Sequence, residues 1–325
     1  MKAWLNGLHL GATARDLDAI LNKGYLCFTF LDGESPEARM IKARVAESLV
    51  VMRFYVQTLS PMNWISNIPP ATLARRLSEY EFEHIIPWNE ANLGIEYGSP
   101  GLELNTDWRQ SIYDQVREYW FSFVPEFRTR CPAKKLHFPA WSPWDGSVGP
   151  FWSGADIYDL HLYGEVDQML NQLTNSLSHI PEGKPVFISE WNFNKAWDAV
   201  PGAEINRFMD ELSKFPQVIG ATAFIWRWEN PDPGFANLDL RDSAAADVLG
   251  GWGKKIAMEY GFQGLFDGFD VLVAQLGANL VGKPLHAARY IGSDYAYQVT
   301  ENGRLEAVKL DNGNWDAKFY RSVQK

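Results

Sequence analysis

Residues 157–192 read IYDLHLYGEVDQMLNQLTNSLSHIPEGKPVFISEWN. The stretch opens on a mostly apolar run, Ile157–Leu162. It continues into a segment of helical period, Val166–Leu177, and closes on a second apolar run, Val186–Ser189. This is a strand–helix–strand unit, and strands that read as continuous apolar runs belong to parallel sheets buried on both faces. The same alternation extends in both directions. Strands are predicted at Trp4–His9, Tyr25–Leu31, Leu49–Tyr55, His84–Trp88, Leu136–Ala140, Ile157–Leu162, Val186–Ser189 and Ile219–Trp226. Helices are predicted between them at Ala14–Lys23, Pro36–Glu47, Pro70–Tyr80, Thr106–Val124, Val166–Leu177 and Gly202–Phe215. Pro36 and Pro70 sit at helix starts, where a missing N–H costs nothing, and Ser35 can cap the first of them. Eight such units in about 250 residues is the count of a (β/α)8 TIM barrel. A doubly wound open sheet is the alternative, but no Gly-x-Gly-x-x-Gly follows the first strand.

The chain has 325 residues, 30 basic and 40 acidic side chains, a net charge of −10, two cysteines and 14 tryptophans. A chain of this length buries a large core without covalent staples. Two cysteines do not make a disulfide framework. The acidic balance argues against nucleic acid as a partner. No apolar stretch reaches 18 residues, so no membrane insertion is expected. The run Met1–Ala14 is broken by Asn6, Gly7 and His9, which fits a first strand better than an export signal. A tryptophan excess hints at flat apolar ligands, of which sugars are one kind.

After about Gly253 the pattern changes. Phe262–Leu280 looks helical, and Arg289–Ile291, Ala296–Thr300, Leu305–Leu310 and Trp315–Tyr320 look like short strands, with hairpin turns at Asn302-Gly303 and Asn312-Gly313. The expected organisation is therefore a barrel at 1–258 and a small C-terminal α+β extension at 259–325. Residues 259–325 carry eight acidic and seven basic side chains, which leaves −9 of the −10 on the barrel.

Reacting groups of such barrels lie at the C-terminal ends of strands. Past strand four stands Trp88-Asn89-Glu90-Ala91-Asn92, and past strand seven Ser189-Glu190-Trp191-Asn192. Two carboxylates held on one rigid face are what glycosidic bond cleavage requires. One must be protonated to serve the leaving oxygen, and the other ionised to meet the anomeric carbon. Around them, alternation puts His161 and Tyr163 on one side of strand six and Trp226 and Trp228 on one side of strand eight. Arg53 stands in an apolar strand, a position that costs several kcal/mol unless the charge is paired; Glu190 would answer it. Trp141, Trp144, Trp152, Trp191 and Trp197 follow or precede strand ends, and Trp144 and Trp226 are the preferred sugar-stacking rings. The plain alternatives are a strand anchor for Arg53, a satisfied core histidine for His161 and simple packing for Trp226.

The set Asn89-Glu90, His161-x-Tyr163, Glu190 and Trp226 resembles the clan A glycoside hydrolases, the "4/7" superfamily of retaining enzymes, over about residues 1–230. The resemblance implies Glu90 as acid/base and Glu190 as nucleophile. It implies Asn89 on the sugar 2-hydroxyl, Tyr163 donating to Glu190, and Trp226 flooring the subsite of the reacting sugar. One departure stands out: the clan's strand-end arginine usually lies on strand two, whereas Arg53 counts to strand three. The segment Val50–Asn92 also resembles uncharacterised bacterial and phage-associated clan A barrels, which often accompany cell-wall or surface-polysaccharide modules.

The expected substrate is thus a β-linked oligo- or polysaccharide, with peptidoglycan glycan strands as one alternative and a non-catalytic carbohydrate-binding barrel as another. No cofactor and no metal are expected. A Schiff-base aldolase needs a lysine at a strand's C-terminal end, and Lys134, Lys135 and Lys184 fall at strand starts. His9 stands alone where a metal-dependent amidohydrolase would want a pair. The extension suits packing on the barrel, polymer binding or oligomerisation.

Overall fold

The computed structural model describes residues 4–10, 20, 23, 25, 27–31, 48–54, 68–97, 101, 104–143, 148–226, 238–259, 289–291, 295–300, 302–309 and 315–321. Eight strands run parallel in chain order and close into a barrel: β1 (Trp4–Leu10), β2 (Cys27–Leu31), β3 (Leu49–Arg53), β4 (His84–Ile86), β5 (Lys135–Phe138), β6 (Ile157–Tyr163), β7 (Val186–Asn192) and β8 (Val218–Ala223). Five described helices surround it: α1 (Pro70–Ser78), α2 (Thr106–Arg130), α3 (Val166–His179), α4 (Gly202–Leu212) and α5 (Ala244–Glu259). The fold is a (β/α)8 TIM barrel. The expected helices at 14–23, 36–47 and 262–280 fall largely or wholly outside the described residues.

One predicted boundary shifts and one helix appears where none was predicted, each for a local reason. Helix α2 does not stop before Pro125 but runs on to Arg130. Pro125 is on the exposed side of the helix, so the carbonyl it leaves without a partner can turn to water. Meanwhile Phe127 extends the buried stripe Ile112, Val116, Tyr119, Trp120 and Phe123. Helix α5 lies outside the predicted elements, and its Gly250, Gly251 and Gly253 are poor helix formers. Packing overrides propensity there: Ala245, Ala246, Leu249 and Trp252 are buried. A Cβ on Gly250 would strike the Lys23 backbone, so glycine is what lets α5 come this close.

Inside the barrel, alternate residues of the strands form two layers. The lower one is apolar: Cys27, Leu49, Val51, Ile86, Ile157, Phe187 and Ile219 form a cluster of their own. At the same level β1 carries Gly7, where a Cβ would stand 2.8 Å from that of Cys27, so β1, β2 and β8 close on one another only with glycine here. Above it lies a polar layer of His9, Thr29, Arg53, Asp159, His161, Ser189, Glu190 and Thr222, all buried.

Several of the tryptophans that flank strand ends in the sequence lie between the strands and the helices. Trp141 meets Tyr113 and Trp152 edge to face at 5.1 and 5.9 Å and donates its indole N–H to Pro150 O. Trp191 and Trp197 are fully buried against one another. The excess of tryptophan thus serves largely to fill the outer core, where T-shaped contacts are favourable. Four further strands, β9 (Arg289–Ile291), β10 (Tyr295–Thr300), β11 (Gly303–Lys309) and β12 (Trp315–Arg321), form a separate antiparallel sheet in the order β12-β11-β10-β9. No described helix is long and apolar enough to cross a membrane.

Candidate active site

The polar layer gathers at the C-terminal ends of the strands. Strand β6 stacks Ile157, Asp159, His161 and Tyr163 on its inner face, an arrangement that follows from the period of two. On β3, Arg53 stands above Leu49 and Val51. The expected strand count is therefore correct, and Arg53 belongs to the third strand.

Glu190 reaches the interior through an irregularity of β7. Leu160 pairs with Ile188, yet the next residue, His161, pairs with Glu190. On the other side Ile188 pairs with Ala221 and Trp191 with Ala223. Both neighbours therefore see one extra residue in β7. With Phe187 inside the barrel, strict alternation would turn Ser189 in and Glu190 out. The bulge re-aims the chain, so that Ser189 and Glu190 both face inward and Trp191 packs outward on Phe208 of α4, ring centroids 4.7 Å apart. Glu190 consequently lies within the strand rather than just past it.

Glu190 is 4% exposed and held at both oxygens. Arg53 Nη2 donates to Oε1 and the Tyr163 hydroxyl to Oε2. His9 Nε2 lies 3.5 Å from Oε1, and His161 Nδ1 3.7 Å from Oε2. Burial alone would raise the carboxyl's pKa, but His161, Arg53, His9 and the Tyr163 hydrogen bond together outweigh it and hold it at about 2. Arg53 answers in kind: burial opposes its charge, and Glu190 more than restores it. The Tyr163 phenol is pushed well above its ordinary range by burial and by the negative charges of Glu190 and Glu90, so it remains a donor. Burial and the Arg53 charge bring His9 down to about 3, which keeps it neutral. Its Nε2 faces Arg53 Nη2 at 2.6 Å, and a guanidinium only donates. The ring proton therefore sits on Nδ1, which is buried without a partner.

Glu90, also buried, comes from the segment after β4, and its Oε1 lies 2.6 Å from His161 Nδ1. That one nitrogen thus touches Glu90 and stands 3.7 Å from Glu190. The nearest oxygens of the two carboxyls are separated by no more than the sum of those two distances. Asn92 anchors the segment, since its amide pairs in both directions with the Ser142 backbone at 2.9 and 2.8 Å.

Asn89 donates from Nδ2 to Glu96 Oε1 at 2.8 Å, and its own Oδ1 is buried without a partner. Glu96, on the 3-10 turn Gly94–Tyr97, was not anticipated. Burial raises its pKa, the Asn89 bond works against that, and Glu90 and Glu190 add to the rise. A carboxylate six residues beyond Glu90 carries no signature that separates it from a solvated loop residue. Asp159 and Ser189 were likewise not singled out, although the period of β6 already puts Asp159 beneath His161. Trp226 is fully buried, with its ring edge-on to Tyr25 at 6.0 Å and its indole N–H without a partner. Its backbone N–H donates to His9 O, which ties the end of β8 to β1. Trp144 and Trp228 lie outside the described residues.

By sequence the chain matches no family model and no curated protein. Solved structures do resemble it. One is a GH113 β-mannanase from Alicyclobacillus acidocaldarius, at TM-score 0.51 and 15% identity over 78% of this chain and 98% of that one. Others are β-glucuronidases from Faecalibacterium prausnitzii, at 0.52 and 14% over 78% and 49%, and from Bifidobacterium dentium, at 0.53 and 14% over 78% and 47%. The fold that these structures share with the chain is the (β/α)8 barrel. The chain spans nearly all of the mannanase but about half of each glucuronidase. At such identities the likeness speaks to the fold, and the chemistry rests on the residues described above.

Proposed function

We propose that the chain is a retaining β-glycoside hydrolase in which Glu190 is the nucleophile and Glu90 the acid/base. The observation that carries this reading is the unequal treatment of two buried carboxyls that meet at one imidazole. Glu190 is held ionised by Arg53 and Tyr163, whereas Glu90 has an imidazole nitrogen, a group able to exchange a proton, at 2.6 Å. In the first step the Glu90 O–H protonates the glycosidic oxygen. The bond from that oxygen to the anomeric carbon breaks, and a Glu190 oxygen bonds to the carbon. In the second step water attacks the same carbon, its proton passes to Glu90, and the bond to Glu190 breaks. Glu90 is then protonated for the next cycle. Inverting pairs stand about 6.5–9.5 Å apart to admit a water; the shared contact with His161 supports the shorter retaining arrangement.

Asn89, with Nδ2 engaged by Glu96, offers its free carbonyl oxygen to a sugar hydroxyl. Three buried or half-buried carboxylates at the mouth favour a neutral glycan over a polyanionic one by like-charge repulsion. The β-linked mannan named for the GH113 neighbours is accordingly the first substrate to try. Residues 259–325 are proposed as an accessory unit and Trp144 as an aromatic contributor to the subsites, whereas the full burial of Trp226 gives its ring a packing role instead of the expected stacking one.

The test is a panel of 4-nitrophenyl β-mannoside, β-glucoside, β-N-acetylglucosaminide and β-glucuronide together with β-mannan and peptidoglycan, with the first-formed anomer of any product followed by proton NMR. Hydrolysis with retention supports the proposal. Cleavage with inversion, or glycan binding without cleavage by the intact protein, overturns it.

A further inference from the structure

A chain of contacts leads from Glu90 away from the substrate side into the barrel. Glu90 Oε1 meets His161 Nδ1 at 2.6 Å, and His161 Nε2 meets Ser189 Oγ at 3.0 Å. The Ser189 hydroxyl in turn meets Asp159 Oδ2 at 2.7 Å, and Asp159 Oδ1 accepts the Ser189 backbone N–H at 3.0 Å. Asp159 and Ser189 are fully buried. The bulge in β7 creates the link, because it lets Ser189 face inward beside Glu190. Neither Asp159 nor Ser189 has a part in the two steps derived above.

Burial works against a charge on His161, but Glu190, Glu90 and Asp159 together raise its pKa; in the neutral form of the ring, the donors and acceptors along this chain admit more than one arrangement of a single proton. With Asp159 ionised, the Ser189 hydroxyl donates to it and accepts from His161 Nε2–H; Nδ1 is then free to accept from a protonated Glu90. With the proton at the far end, Asp159 O–H donates to Ser189 Oγ and Ser189 donates to Nε2. The Nδ1–H then points at an ionised Glu90. Atoms and charge are the same in both, and the proton has moved from Glu90 through the imidazole and the hydroxyl to Asp159. Arg53 Nη1 stands 3.2 Å from the same Nε2 and, as an obligate donor, favours the second arrangement. Nε2 is thus contested between Arg53 and the Ser189–Asp159 pair. Burial brings the Asp159 carboxyl up to about 6 against the pull of His161, its Ser189 hydrogen bonds and Arg53, which is where such a group can exchange a proton near neutrality.

We infer that Asp159, acting through Ser189, is a positioning residue that sets the His161 tautomer and thereby lets Glu90 hold its proton. This rests on the acid/base reading of Glu90. The other charged or titratable groups facing the chain are Arg53 from β3, His9 from β1, Glu190 from β7, Tyr163 from β6 and Glu96 from the turn after β4. All of them remain in the test variants.

In Asp159→Asn the carbonyl keeps the Ser189 N–H, so the new NH2 donates to Ser189 Oγ and the Ser189 hydroxyl must donate its hydrogen bond to the bare His161 Nε2. Ser189→Ala removes the bridge and leaves Nε2 to Arg53, with the same outcome. Both variants should therefore show His161 protonated at Nδ1 and bare at Nε2 in 15N-histidine NMR, assigned against His161→Gln. The wild type should show Nε2 protonated at neutral pH. Both should also lose at least about tenfold in kcat/KM on phenyl β-mannoside, whose departure needs an acid, and much less on the 2,4-dinitrophenyl glycoside, since general-acid help is worth roughly 10²–10⁴-fold where it is needed. The alkaline limb of the pH profile should move to lower pH. Ser189→Ala decides the matter should Asp159→Asn fail to fold. An unchanged tautomer in a folded variant, or an equal loss on both leaving groups, overturns the inference. If the wild type cleaves neither glycoside, the hydrolase reading fails while the tautomer measurement still decides the coupling.

Discussion

Replacing Arg53 by methionine keeps most of the side chain's volume and removes the guanidinium from the centre of the polar layer. Glu190 sits at about 2 against an unfolded value of 4.5, a difference worth ~3 kcal/mol at 1.36 kcal/mol per unit. Burial works against the charge, so the stabilisation comes from His161, Arg53 and the Tyr163 hydrogen bond, the neutral His9 adding no charge at pH 7. Without Arg53 the variant also leaves Asp159 buried with less compensation, since that side chain too feels the guanidinium. Breaking a buried pair on one side costs about 3–5 kcal/mol, and at about 2–4 °C per kcal/mol for a domain of this size the Tm should fall by roughly 10 °C. Glu190→Gln in the Arg53→Met background removes the uncompensated charge and should recover much of the loss, so the two substitutions should be strongly non-additive. The pH dependence has a definite sign. A carboxyl held below its unfolded value contributes stability that is complete above about pH 4.5 and disappears as the pH falls toward 2. Arg53→Met weakens that contribution, so wild type and variant should converge on acidification. Thermal denaturation of the four proteins of the cycle at pH 7 and pH 3 measures this. A Tm drop of about a degree, or additivity within about 0.5 kcal/mol, would refute the reasoning.

Glu190→Ala should lower turnover by several orders of magnitude with the circular dichroism spectrum intact, and wild-type-like turnover would remove Glu190 from its role. Tyr163→Phe deletes one hydrogen bond to a charged oxygen, worth about 1.5–3 kcal/mol, so kcat/KM should drop by roughly 10- to 100-fold; a change below twofold would assign Tyr163 to packing alone. His9 is neutral in the fold with its pKa at about 3 and charges near 6.5 when unfolded. It therefore supports the fold above pH 6.5 and withdraws that support as the pH falls toward 3. His9→Gln, which keeps an acceptor for Arg53, should flatten the loss of stability across that window in urea titrations, and an unaltered slope would count against the assignment.

The barrel was legible because each strand is an apolar run and most intervening segments have helical period, the link between the fifth and sixth strands excepted. The site was legible in part for the same reason. The period of two puts His161 and Tyr163 on one face of β6, and an arginine in an apolar strand demands a partner, which Glu190 supplies. That same period, carried two residues further down, already places Asp159, but a buried aspartate in a strand has no motif to mark it. The bulge at Ser189 was not legible, because nothing in VFISEWN distinguishes an extra residue from ordinary alternation. Its consequence, Glu190 turned inward, follows only when the pairing of both neighbouring strands is known. Helix α5 escaped because it carries three glycines, of which Gly250 serves close packing against Lys23 rather than helix termination. Tryptophan composition pointed to the mouth, yet Trp141, Trp191 and Trp197 stabilise the outer core, since a large flat ring suits a helix–sheet interface as well as a sugar.

Covalent trapping tests the central claim most directly. The protein is incubated with 2,4-dinitrophenyl 2-deoxy-2-fluoro-β-mannoside and its gluco counterpart, whose fluorine slows release of a glycosyl-enzyme, and the peptic digest is read by mass spectrometry. The account predicts one added fluoroglycosyl group on the peptide holding Glu190, and none in Glu190→Gln. A label on Glu90, Glu96 or another carboxylate, or turnover of the parent glycosides with no label at all, would contradict it.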